Sequence, residues 1–93
     1  MTPAAAAHFA QRLAAPLVLE PGAVCRLRGG RIAVIDRGLR YRHVDAPGGA
    51  QYDGWGGRAL FEDGGDVLAF WCADGAASVD YNPDPYDLME RIA

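Results

Sequence analysis

Two glycine turns, Gly29-Gly30 and Asp63-Gly64-Gly65-Asp66, each separate a pair of short strand-like segments. No other feature constrains this chain as strongly. Alternation with period two marks half-buried strands, and so short a glycine turn folds the second strand back antiparallel to the first. In Ala23 to Arg28, Cys25 and Leu27 take the inward positions and Arg26 and Arg28 the outward ones. Gly29-Gly30 supplies the positive φ angles of a tight two-residue turn, and Arg31 to Asp36 returns. Arg37-Gly38 permits another reversal or a bulge before Leu39 to Val44, where Leu39, Tyr41 and His43 alternate with Arg40 and Arg42.

The second hairpin joins Arg58 to Glu62 with Val67 to Ala73. Both faces of the latter segment are apolar: Val67, Ala69 and Trp71 on one, Leu68, Phe70 and Cys72 on the other. Such a strand is expected at the centre of a sheet, covered on both sides, or else against a dimer partner. Asp74-Gly75 then turns the chain into a short strand, Ala76 to Tyr81.

Helices are expected at the two ends. Thr2 is placed to cap a helix from about Pro3 to Ala15, with Pro3 at its first position and Pro16 as its stop. Ala6, Phe9, Ala10 and Leu13 form its apolar stripe. Asn82-Pro83-Asp84-Pro85 breaks the last strand, and Asp84 and Pro85 serve as N-cap and first residue of a closing helix to Ile92, with Leu88, Met89 and Ile92 inward. The predicted fold is therefore α+β: one domain over residues 1–93, with an N-terminal helix, an antiparallel meander of about five or six strands and a short C-terminal helix.

Ninety-three residues are too few for two cores without disulfides or metals. A hydrophobic fraction of 51% against 23% charged describes a globular chain, and the longest apolar run, Val67 to Ala73, is far too short to span a membrane. Met1 to His8 has neither the basic start nor the apolar stretch of a secretory signal, so the expected location is the cytoplasm. Cys25 and Cys72 lie in strand-like runs and are read as buried thiols, not as a disulfide or zinc framework.

No residue pattern predicts catalysis, a metal or a cofactor. A nucleophile needs a neighbouring base and an orienting group, and no local motif gives Cys25, Cys72, His8 or His43 such partners. Asp80 to Asp84 resembles the start of a calcium loop, but Pro85 and Arg91 stand where its glycine and bidentate glutamate belong. Gly54-Trp55-Gly56-Gly57 lacks the Lys-Ser/Thr of a phosphate loop. The stretch Asp45 to Gly57, with five glycines and a proline, is expected to be a loop; its Tyr52 and Trp55 anchor a partner or pack inward.

Charge is unevenly divided along the chain. Residues 1–44 hold seven arginines against Glu20 and Asp36, a balance of +5; residues 45–93 hold ten acids against Arg58 and Arg91, a balance of −8. Either the second half forms an acidic lobe or the halves interleave and cancel. Arg26, Arg28, Arg40 and Arg42 would meet phosphates if aligned, but a pI near 5.1 argues for cross-strand pairing with acids instead, so no direct nucleic acid is expected. On the lobe reading, Glu62, Asp63, Asp66, Asp80, Asp84, Asp87 and Glu90 imitate a phosphate backbone and contact a basic nucleic-acid-binding protein or complex, helped by Tyr52 and Trp55.

In size, acidity, absence of catalytic motifs and α-plus-antiparallel-sheet layout, the whole chain resembles the small phage-borne anti-CRISPR inhibitors, some of which mimic duplex DNA. The resemblance implies a non-enzymatic inhibitor of a nucleic-acid-handling host protein, working as a monomer or homodimer away from membranes. The alternative is an immunity or antitoxin protein that neutralises a cognate toxin.

Overall fold

The hairpin signals organise the fold. The computed structural model describes residues 2–14, 16–42, 51–78 and 82–93. Helix α1 (Pro3–Ala14) precedes β1 (Val24–Leu27), β2 (Ile32–Arg42), β3 (Gln51–Leu60), β4 (Asp66–Cys72) and β5 (Leu88–Arg91). The strands form one antiparallel sheet in the order β4-β3-β2-β1-β5, so the first four make a meander and the fifth returns to lie beside the first.

Three turns share one construction. Leu27 N–H donates to Arg31 O, Phe61 N–H to Gly65 O and Cys72 N–H to Ala76 O, and the last enclosed residue is in each case a glycine at positive φ: Gly30, Gly64 or Gly75. The first turn thus encloses three residues rather than the expected two, since one left-handed residue already gives the strands their twist. At Arg37-Gly38 the chain bulges at Asp36 instead of reversing, and β2 runs on through both segments that flank it.

The glycine-rich stretch is a loop only in expectation. Its second half, from Gln51, lies in β3, while residues 43–50 are outside the described part of the chain. Glycine there serves close approach: a Cβ on Gly57 would run into the carbonyl of Val34 and sit 3.1 Å from Ile35 Cα, beside the bulge.

The C-terminal segment corrects the sequence reading most. Residues 88–91 are a strand, not a helix. Asp84 Oδ1 accepts from Tyr86 N–H and Asp87 Oδ2 from Asp84 N–H, which closes a single tight turn and spends the capping groups locally. The outward amides of β1 need partners: Val24 N–H donates to Ala93 O and Arg28 N–H to Asp87 O. Ladder bonding to β1 outweighs a weak local helix signal. No strand covers Ala76 to Ser78, and the remainder of the expected strand Ala76 to Tyr81 lies outside the described residues.

The sheet holds the core on one face. Its inner face carries Ala23, Cys25, Leu27, Ala33, Ile35, Ala59, Ala69, Trp71 and Leu88, with Leu17, Leu19, Trp55, Ala77 and Tyr86 packed against them. The turn after β4 bridges the two edge strands, because Gly75 O accepts from Leu88 N–H while Ala76 O accepts from Cys72 N–H. Thr2 Oγ1 caps α1 by accepting from Ala5 N–H. Of the described side chains, Ala5 and Arg12 are the buried positions of the helix, while Ala6 and Ala10 of the expected stripe are exposed. The Arg12 guanidinium survives burial because it donates to the carbonyls of Asp74, Gly75 and Leu88 at the junction of the two edges.

Candidate functional site

The expected acidic contact set is distributed, not gathered. Three of its members sit at the β3–β4 hairpin: Glu62 and Asp63 are exposed at the tip, and Asp66 begins β4 in an ion pair with Arg58, 3.2 Å away. Asp63 also accepts from Gly65 N–H at 2.9 Å and so holds the turn. Across the sheet, Glu90 pairs with Arg26 at 3.0 Å through the β1–β5 register. Asp84 is occupied with its turn.

Asp87 is a correction. Its side chain is fully buried, and its carboxylate accepts from Ala77 N–H (2.8 Å), Asp84 N–H (2.9 Å) and Arg28 Nε–H (3.1 Å), so it holds the fold rather than facing a partner. Trp55 is half-buried against the core and donates from Nε1 to Ala73 O. Tyr52 stands opposite Tyr41 in the β2–β3 register, and its side chain is outside the description; Asp80 lies outside the described residues altogether.

These pairs show how the chain's charge asymmetry folds. Because β5 lies beside β1, acids of the second half meet arginines of the first: Arg26–Glu90, Arg28–Asp87 and, through β2–β3, Arg40–Asp53. Arg91 and Glu20 make the reverse exchange at 2.8 Å. The halves interleave over the β1–β5 side of the sheet. Among the described residues, the hairpin tip keeps Glu62 and Asp63 without an ion pair.

Beside that tip the sequence reading missed an apolar surface. Strand β4 is at the edge of the sheet, not its centre, and only one face is covered: Ala69 and Trp71 are buried, whereas Leu68 and Phe70 are 61% and 60% exposed. Phe70 is therefore not buried opposite Trp71: among the described residues, Leu17, Leu19, Ala77 and Tyr86 of the connecting segments pack against the core on the inner side. In register with this outer face stand Gly56 opposite Phe70, Arg58 opposite Leu68 and Leu60 opposite Asp66. Phe61 follows at the tip, its ring under the Arg31 guanidinium at 4.6 Å; Arg31 also lies 4.8 Å from the Tyr86 ring and so ties the hairpin to the last turn. The two-sided apolar pattern of Val67 to Ala73 was the available signal, through its dimer-partner alternative.

No group of three or more His, Cys, Asp and Glu side chains is arranged to hold a metal ion among the described residues. Burial raises the Cys25 thiol pKa above its ordinary value, against a smaller lowering by Arg91, which keeps it protonated and poorly nucleophilic. No helix among the described residues is long and apolar enough to cross a membrane.

No protein-family model matches the chain, and no curated protein or solved structure matches it significantly.

Proposed function

We propose that this chain is a non-enzymatic inhibitor that binds a basic, nucleic-acid-handling protein through the outer surface of the β3–β4 hairpin. The observation that carries the reading is the juxtaposition of exposed Leu68 and Phe70 with the unpaired acids Glu62 and Asp63 at the adjoining tip. A contiguous exposed apolar patch rimmed by polar groups marks an interaction site, and its apolar centre supplies affinity by excluding water. Carboxylates at the rim steer a basic partner into place, an effect that salt screens. The interleaved ion pairs elsewhere make a whole-lobe phosphate mimic a weaker description than this one localised contact.

The test is affinity capture with wild type, the acid pair Glu62→Gln/Asp63→Asn and the apolar pair Leu68→Ser/Phe70→Ser, followed by binding kinetics on the captured protein. All these side chains are exposed, so each variant should keep its unfolding free energy to within about 1 kcal/mol. The acid pair should slow association at low salt, and the apolar pair should speed dissociation at every salt concentration. A partner held equally by all three proteins would refute the surface, and a captured partner that is acidic would refute the chemistry.

A further inference from the structure

The two edges of this sheet are treated differently by the fold. Edge strand β5 is short, four residues long, and the outward groups of Leu88 are engaged: its N–H donates to Gly75 O and its carbonyl accepts from Arg12. The Arg91 side chain folds back onto Val18 O and Glu20, and Glu90 pairs with Arg26. Those are the devices that normally keep an edge from pairing with another chain.

Edge strand β4 has seven residues, no proline and no lysine, and its one charge, Asp66, is at its start. The Phe61 N–H to Gly65 O bond sets the phase of the β3–β4 ladder, and antiparallel alternation then turns the N–H and C=O groups of Asp66, Leu68 and Phe70 away from β3 toward the free edge. Among the described residues none of these groups has a backbone partner on that side. Val67 at the start of the strand points to the inner face, as Trp71 does, yet is 38% exposed. Beyond Phe70 the edge closes, since Cys72 N–H is taken by Ala76 O.

We infer that β4 pairs antiparallel with β4 of a second copy of this chain about a two-fold axis at Leu68. The set of outward groups is symmetric about that residue. Leu68 would exchange both backbone bonds with its counterpart, and Asp66 would exchange both with Phe70 of the other copy, so every outward group of the three residues is satisfied by the same three. A foreign strand has no such reason to match this register. The two exposed Leu68–Phe70 strips would join into one apolar surface on a continuous ten-stranded sheet. This inference stands apart from the proposed inhibition, because the purified chain alone tests it.

The experiment is sedimentation equilibrium of the full chain from micromolar to submillimolar concentration. The expected mass rises from the 9.9 kDa monomer toward twice that value. Leu68→Lys and Leu68→Glu each place like charges against one another at the axis, so each alone should remain monomeric while an equal mixture recovers the dimer. Leu68→Pro removes the outward N–H without touching the β3 ladder and should also abolish it. Circular dichroism and the unfolding midpoint show whether each variant is folded, and the lysine and glutamate variants report even where the proline variant unfolds. A wild type that stays at 9.9 kDa throughout overturns the inference and leaves the edge to a foreign strand. So does a dimer that both charge variants preserve, or a mixture that fails to recover it.

Discussion

Replacing Asp87 by asparagine should unfold this protein more readily than any exposed acid substitution. Among the described residues the wild-type carboxylate accepts from Ala77 N–H, Asp84 N–H and Arg28 Nε–H, and it is fully buried. Asparagine matches its shape but has one acceptor oxygen; whichever way the amide turns, its NH2 meets at least one backbone N–H. A buried donor left without a partner costs about 1–3 kcal/mol. Weakening the Arg28 pairing adds about 1 kcal/mol or less, because that side chain is 31% exposed and water screens it. The sum is roughly 1–4 kcal/mol, a substantial share of the roughly 5–14 kcal/mol expected for a domain of this size. The thermal midpoint should fall by roughly 5–30 °C. Urea titration followed by tryptophan fluorescence should show a lower midpoint with the same slope, since the surface exposed on unfolding hardly changes. A loss below about 0.5 kcal/mol, the size of an ordinary surface substitution, would refute the clamp.

Gly57→Ala should destabilise by about 2 kcal/mol or more, because its Cβ meets the backbone of Val34 and Ile35, which cannot rotate away. Gly64→Ala has open space and should lose only the roughly 1–2 kcal/mol of a left-handed conformation; equal losses in urea titrations would contradict the close-approach argument. In the native protein a thiol reagent should leave Cys25 unmodified and reach at most Cys72, and unfolding should expose both; rapid native labelling of Cys25, located by mass spectrometry, would contradict its burial. Since the folded-state pKa of Cys25 is raised, its contribution is fully present below the unfolded thiol value, about 8.5, and is lost as pH rises through the folded value. Wild type should therefore lose stability above about pH 8.5 more steeply than Cys25→Ala.

The first half of the fold was legible where one local signal had no competitor. Thr2 and Pro3 start α1 as their chemistry demands, and the alternation of Cys25, Arg26 and Leu27 places them on the faces they occupy. Reading failed where long-range bonding decided. Asp84-Pro85 is as good a helix start as a turn, and the vacant edge of β1, 57 residues or more upstream, chose the turn. Glycines 54, 56 and 57 look like loop residues until β2 is known to approach them. The surface proposed for partner binding stayed hidden for the same reason, since a two-sided apolar run does not say which face the rest of the chain will cover.

The amino-acid order by itself determined that hairpins form, where their glycines turn, and that antiparallel strand outweighs helix, because these follow from φ preferences and side-chain period within a few residues. Only the tertiary structure decided that residues 88–91 are a strand, that β4 lies at an edge with Leu68 and Phe70 uncovered, and that an acid-rich half is zipped to an arginine-rich one. Those outcomes depend on which backbone groups and faces remain unsatisfied once the meander has formed, a property of the assembled sheet that no short window of sequence contains.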